Sequence, residues 1–218
     1  MSKKYPRTPH FPWSPGGTKD DRHLTSIEGF IGIDLVITEK MDGSNVCFTK
    51  DYMYARSHGG TPKHKSFDLA KSLHSTIRHI ISPDISIFGE WCYAVHSIQY
   101  TLPNYFLMFG IRNDKTQQWF SWSDVEEYSK NLNLLTVPVL WKGTVNSKQE
   151  LIDITTTLSN DKSKYGNERE GIVVRPADAF SNDSFKHLVA KIVRKNHVST
   201  TEHWKFKKIE KQNMVKRT

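Results

Sequence analysis

The chain has 218 residues, with 31 Lys and Arg against 23 Asp and Glu for a formal net charge of +8, and it is 37% hydrophobic and 11% aromatic. This composition excludes a disordered or collagen-like chain, and the length suits one large domain or two small ones able to bury a core. The excess of positive charge favours an anionic partner such as nucleic acid or nucleotide, although solubility alone is a plainer account of it.

Tyr5 to Asp21 hold Pro6, Pro9, Pro12, Trp13, Pro15, Gly16 and Gly17, which rule out a helix. With Phe11 and Trp13 between them, the segment is expected to be an ordered, extended arm. From Asp34 the runs LVITEK, NVCFTK, MYARS, ISIFGEW, NYFLMFGIRN and QQWFSW read as strands, parted by Asp-Gly, Lys-Asp, Pro-Asp and Asn-Asp. Helical spacing predicts a helix over 67–81, with Phe67, Ala70, Leu73, Ile77 and Ile80 on one face, and weaker helices over 123–131 and 147–158. GIVVRP and HLVAKIV read as two later strands, and Ser199 to Lys211 as a Lys-rich helix with Trp204 and Phe206 among its bases. Strands interleaved irregularly with a few helices predict an antiparallel α+β domain. The expected division is one domain over 1–198, with the arm at 5–21, and a basic helix or tail over 199–218 that forms no separate C-terminal domain.

Cys47 and Cys92 are too far apart for a CxxC half-site and too few for a disulfide framework. The opening MSKKYPRTPHFPWSPGG holds no apolar h-region, and no run approaches the ~18 apolar residues of a membrane span. A cytoplasmic protein with no membrane partner is expected.

Phosphate-binding fingerprints are missing: GGTK at Gly16 to Lys19 lacks P-loop spacing, and no GxGxxG follows a strand. Among ten histidines there is no HExxH, and His74 and His79 are five apart, so most are expected to be structural or on the surface. The segment that draws attention is LVIT running into Glu39-Lys40-Met41-Asp42-Gly43-Ser44-Asn45. In one reading Asp42-Gly43 is a hairpin turn and Lys40 a solvated neighbour. In the other, Lys40 is a nucleophile whose pKa is lowered by desolvation or nearby cations, and Gly43 lets a phosphate approach the backbone.

Further segments follow in order: ARSHGG at 55–60, FGEW at 88–91, FLMFGI at 106–111, EGIVVR at 170–175 and VAKIVRKNH at 189–197. With KMDG at 40–43 they resemble the motifs of the covalent nucleotidyltransferases. The chain is similar to the ATP-dependent RNA ligases, in particular the phage-type RNA ligase 2 group. The likeness is greatest to short bacterial and phage forms with a YPRTPHxPWSPG opening and an NHV…EHW ending, here Tyr5 to Gly16, Asn196-His197-Val198 and Glu202-His203-Trp204.

The resemblance implies an α+β, ATP-grasp-like nucleotidyltransferase domain built on antiparallel sheets with flanking helices. It implies that Lys40 attacks the α-phosphorus of ATP, expels pyrophosphate and keeps AMP as a phosphoramidate. AMP then passes to the 5′-phosphate of an RNA end, and a 3′-hydroxyl displaces it. These in-line displacements demand charge neutralisation and alignment. Arg56 would bind phosphate oxygens, Glu90 would accept from the ribose hydroxyls, and Phe109 would stack on adenine. Gly110 stands where the family often has an acid or small polar residue. Glu170 would hold Mg²⁺ or Mn²⁺, while Lys191 and Arg194 would bracket the phosphates, Val193 occupying the usual second basic position. Glu39 would read the adenine amino group, with Asn45 in the same loop. Lys205, Lys207, Lys208, Lys211, Lys216 and Arg217 would follow an RNA backbone or form a solvated basic face. The implied partners are ATP and RNA with 5′-phosphate and 3′-hydroxyl ends, bound by a monomer. The alternatives are another acceptor, namely DNA, capped RNA or a protein, and a basic RNA-binding module without turnover.

Overall fold

The computed structural model describes residues 4–18, 20–56, 60–195 and 209–216. Strands β1 (Asp34–Lys40) and β2 (Ser44–Phe48) are separated by three residues yet belong to different sheets. Asp42-Gly43 is thus a crossover, and the hairpin reading of that pair is overturned. A Cβ at Gly43 would meet the Trp91 carbonyl oxygen at 2.7 Å, so the crossover lies flat against the neighbouring strand and needs glycine there.

The chain continues through β3 (Met53–Ala55), α1 (Asp68–Ile77), β4 (Ile85–Trp91), β5 (Thr101–Leu102) and β6 (Phe106–Asn113). Next come β7 (Gln118–Trp119), α2 (Trp122–Asn131), β8 (Leu135–Thr136), β9 (Val139–Thr144) and α3 (Lys148–Asn160). It ends with β10 (Gly171–Pro176), β11 (Phe180–Ser181), α4 (Phe185–Leu188), β12 (Ala190–Val193) and β13 (Asn213–Met214). One sheet has the order β12-β10-β1-β9, and the other β11-β7-β6-β4-β2-β3 with β8 parallel to β6. A parallel pair, β5 with β13, completes the described sheets.

Central position explains why LVIT is apolar throughout. On one side Leu35 and Ile37 join Ile172, Val174, Leu151 and Phe11 in a core beneath α3. On the other, Val36 faces the second sheet. Each such side chain contributes about 1.5–3 kcal/mol on burial. The second sheet packs Val46, Phe48, Ile87 and Trp91 with Ala70 and Ile77 of α1 and Val125 of α2. A third, mainly aromatic cluster of Phe88, Trp119, Phe180 and Phe185 gathers residues from both sheets, Val173 of β10 among them.

The arm lies along β12. Phe11 N donates to the Lys191 carbonyl, Lys191 N to Pro9, and Gly16 N to Val193, at 2.8–2.9 Å. Phe11 is fully buried, stacks on Trp13 at 4.7 Å, and Trp13 Nε1 donates to Thr155 of α3. An edge strand is thereby covered.

Several expected elements shift. The 67–81 helix begins after a 3₁₀ turn, Lys65–Phe67, and stops at Ile77, so Ile80 is 51% exposed and Ile81 is buried instead. In QQWFSW only Gln118–Trp119 pairs, because Ser121 caps α2 by accepting from Asp124 N. HLVAKIV starts as the end of α4. Strand β9 had no place in the expected set: Pro138 precedes it and Gly143 interrupts it, and its residues are half-buried or exposed. Of the expected C-terminal helix over 199–211, 199–208 lie outside the described residues; Lys211 forms a β-bridge with Ala94, and Asn213–Met214 form β13. Gln212 is buried there, its side chain accepting from Tyr100 N and donating to the Ile98 carbonyl. No helix among the described residues is long and apolar enough to cross a membrane, and both cysteines are free and buried.

Candidate active site

The register of β1 with β10 sets Lys40 opposite Gly171, which brings Glu170 beside it. Lys40 Nζ donates to both Glu170 carboxylate oxygens at 2.7 Å, with the two side chains 26% and 8% exposed. Burial alone would lower the Lys40 pKa, but Glu170, Glu90 and Asp42 outweigh it and hold the ammonium above its ordinary value. The expected lowering does not occur, because the Glu170 carboxylate is bonded to the amine and the charges of Glu90 and Asp42 add to its effect.

Glu90 lies opposite Asn45 across β2 and β4. Burial pushes its carboxyl up to about 8 against the pull of Lys40, and Glu170 and Asp42 raise it further. Lys191 pairs with Val173, on the same face as Gly171. Burial and then the Lys40 charge hold it down to about 8. Arg56, exposed just after β3, is among the principal charges acting on both Glu90 and Lys191. Buried Asn45 Oδ1 has no hydrogen-bond partner and is left to accept from a ligand.

Phe109 occupies a β-bulge: Phe88 pairs with Gly110 and Gly89 with Met108, leaving Phe109 as the extra residue. A bulge re-aims a side chain, and this ring is half-buried. Tyr5 of the arm enters the same aromatic cluster, its ring 5.0 Å from Phe109 and 5.2–5.4 Å from Phe88, Trp119 and Phe185.

Lys40, Glu170, Glu90, Asn45, Lys191 and the charge of Arg56 therefore converge. Two of the expected residues stand apart. Glu39 pairs with Ile172 and points with Ile37 to the α3 side, 1% exposed. Its Oε2 accepts from Lys164 N at 3.0 Å, Arg169 Nε lies 3.8 Å away, Oε1 has no hydrogen-bond partner, and burial raises its pKa. Side chains alternate along a strand, so neighbours of Lys40 face away from it. Arg194 falls beyond β12 with its guanidinium held by Glu168 at 2.6 Å, outside the principal charges on Lys40, Glu90 and Lys191.

Asp42 and His10 were not expected to matter. Asp42 Oδ2 accepts from Ser97 N and Ile98 N at 2.7 and 3.0 Å, pinning the crossover next to Lys40. The DG pair is the only local signal, and it suggests a different turn. His10 is buried, bonds Ser14 Oγ at 2.8 Å, and is held down to about 4 by burial and by Lys191, so it is neutral at pH 7. His74 is structural, bonded to the Thr49 carbonyl at 2.7 Å.

Among the described residues no three His, Cys, Asp or Glu side chains gather as a ready metal cage. Glu170 supplies a hard-oxygen donor, and its charge is felt by Glu90. A magnesium or manganese ion that keeps several waters and takes phosphate oxygens needs only one or two carboxylates, so the donor set fits.

The RNA ligase family model matches residues 33–193, from the start of the first sheet to the end of β12. The chain belongs to the RNA ligase family. Solved structures with the same fold include point mutants of the Naegleria gruberi RNA ligase. A ligand-free mutant is 20% identical at TM-score 0.57, covering 79% of this chain and 52% of that one. A second, with ATP and Mn, is 18% identical at TM-score 0.57, covering 79% and 53%. A third, also with ATP and Mn, is 14% identical at TM-score 0.55, covering 90% and 62%. This RNA ligase family member spans about half to three-fifths of those chains. The comparison with curated proteins finds no match.

Proposed function

We propose that this family member is an ATP-dependent RNA ligase that carries AMP on Lys40. The observation that supports it most directly is Lys40 Nζ bonded to both oxygens of Glu170, with Glu90 and Lys191 beside them. Lys40 Nζ, once deprotonated, attacks the α-phosphorus, a P–N bond forms, and pyrophosphate leaves with the electron pair of the broken P–O bond. A 5′-phosphate oxygen of RNA then displaces the lysine and takes AMP, and a 3′-hydroxyl attacks that phosphate, releasing AMP and closing the strand.

Each side chain has a role set by its chemistry. Lys191 and Arg56 carry positive charge to the phosphates, and anion binding would return Lys191 to the full ammonium state. Asn45 Oδ1 accepts from the nucleoside, Glu90 accepts from it or, when protonated, donates to it, and the Phe109 ring stacks on the base. Glu170 would hold Mg²⁺ or Mn²⁺, which would supply charge neutralisation to the phosphates. The Naegleria neighbours solved with ATP and Mn support this cofactor choice. Glu39 acts on adenine only through a change that exposes its unbonded Oε1, and Arg194 joins the phosphates only on leaving Glu168. The protein works as a monomer in the cytoplasm, with residues 1–198 as the adenylylation domain.

Purified protein incubated with a divalent metal and α-labelled ATP should become covalently labelled and gain one adenylyl mass. Lys40→Ala should lose the label by roughly a thousandfold or more. An unlabelled wild type would overturn the reading and leave a binding module. Nicked RNA, DNA and mixed duplexes then test the acceptor, and joining of DNA alone would refute the RNA assignment.

A further inference from the structure

Residues 168–170 lead into β10, and each of their side chains is held by a different part of the fold. Glu168 faces out to Arg194 at 2.6 Å, Glu170 meets Lys40 in the cleft, and Arg169 turns to the opposite face, 5% exposed. There it lies beside Glu39, the residue before Lys40. Two ion pairs thus stand back to back at the end of β1: Lys40 with Glu170 in the cleft, and Glu39 with Arg169 on the α3 side.

Arg169 is gripped through its planar fork. Nη1 donates to the Leu158 carbonyl in the last turn of α3, and Nη2 to the Lys162 carbonyl at 2.7 Å. That turn carries no basic residue of its own, so the guanidinium also answers the negative end of the helix. The Glu39 carboxylate is farther off, 3.8 Å from Nε, and Nε makes no hydrogen bond. Lys164 N donates to Glu39 at 3.0 Å, so α3, the loop after it and β1 are drawn together around one guanidinium.

Glu170 needs such an anchor. The ladder of β1 with β10 ends at Lys40↔Gly171, which leaves Glu170 one residue outside it. On the β12 side Arg194 N donates to the Glu170 carbonyl at 2.9 Å and holds the backbone there. The aim of the carboxylate then depends on the preceding residue, whose side chain cannot turn without leaving both carbonyls. Two charges taken out of water return little as stability, so a buried pair at this place serves geometry.

We propose that Arg169 is a positioning residue: held from behind by α3 and the loop after it, it aims the Glu170 carboxylate into the cleft, at Lys40 and at the metal ion Glu170 would hold. Arg169 itself faces away from the cleft and acts only through its neighbour. The role given to Glu170 rests on the ligase reading.

The test is Mn²⁺ binding to the whole chain, read from the electron paramagnetic resonance signal of the free ion. α,β-Methylene-ATP is present, so that no adenylyl group is passed. Arg169→Lys keeps a cation beside Glu39 but gives up the fork that spans two carbonyls. It should weaken Mn²⁺ binding about tenfold, the scale on which residues behind a metal ligand act. At saturating Mn²⁺, KM for ATP in covalent labelling should stay within about twofold of wild type. Glu39→Asp keeps its charge, draws the carboxylate back by one methylene, and should weaken Mn²⁺ by a smaller factor. Thermal melting checks that both variants fold; if Arg169→Lys does not, Glu39→Asp carries the test. Mn²⁺ binding equal to wild type in the folded variant overturns the positioning role. So does a loss of labelling that leaves Mn²⁺ binding and KM as they were, since a smaller folded fraction accounts for it, or a wild type that binds no Mn²⁺. Labelling of the wild type by ATP keeps the two claims apart. A wild type that never labels, yet loses Mn²⁺ in Arg169→Lys, refutes the ligase reading alone. One that labels while Arg169→Lys binds Mn²⁺ normally refutes the positioning role alone.

Discussion

Two ion pairs in this fold have nearly the same contact distance and opposite surroundings. Arg112 meets Asp114 at 2.9 and 3.0 Å, with their side chains 2% and 14% exposed. Asp114 also accepts from Ser86 Oγ at 2.7 Å, and the guanidinium lies 5.4 and 5.5 Å from the Trp119 and Phe88 rings. Every charge there is answered. Lys40 meets Glu170 at 2.7 Å, but Glu90 and Asp42 also act on the one amine, and Lys191 is pushed down beside it. The first arrangement fixes structure, and the second holds charge in excess that an anionic ligand and a cation can redistribute.

The largest effects should separate the two pairs. Lys40→Arg keeps a cation for Glu170 yet cannot provide a lone pair, so covalent labelling should fall by roughly a thousandfold or more while the melting temperature changes little. Arg112→Ala strands Asp114 and should cost about 3–5 kcal/mol, read by denaturant unfolding, with KM for ATP unchanged in the protein that remains folded. If Lys40→Arg unfolds the protein and Arg112→Ala does not, the contrast between the pairs is wrong.

A smaller effect follows from Glu90. Its carboxyl rises from an ordinary 4.5 to about 8 in the folded protein. The folded state therefore binds this proton more tightly than the unfolded chain does. The stability it contributes is fully present below pH 4.5 and is lost as pH rises towards 8. Glu90→Gln removes the titration, so the slope of stability against pH between 4.5 and 8 should flatten relative to wild type. Chemical unfolding at several pH values measures it, and parallel slopes for the two proteins would dismiss the assignment.

Such contrasts are only partly legible in the sequence. The α+β class and most strands follow from apolar runs, because LVIT and ISIF are central strands buried on both sides. The partition into two sheets is not legible: residues 41–43 look like a hairpin, and only the close approach of Gly43 to Trp91 shows the crossover. Lys40 and Glu170 are 130 positions apart, so no local pattern joins them, and the family motifs alone brought them together. Strand alternation, by contrast, does foretell that Glu39 faces away from Lys40. The bulge at Phe109 leaves no mark on the sequence because it depends on how β4 and β6 pair.

Gly110 should give the smallest effect and sharpen that last point. A Cβ there would lie 3.4 Å from the Trp119 ring and 4.0 Å from an Arg175 terminal nitrogen, ordinary contact distances. Arg175 is already engaged by the Phe120 carbonyl and lies over the Trp122 and Phe180 rings, so a methyl group asks little of it. Gly110→Ala should therefore change stability by less than about 1.5 kcal/mol. KM for ATP should stay within about twofold, since the ring proposed to stack on the base is that of Phe109, the bulged residue, and not its neighbour. A large rise in KM with unchanged melting would mean that the nucleotide lies across Gly110, and the bulge would then serve to bring the backbone, rather than the ring, to the ligand.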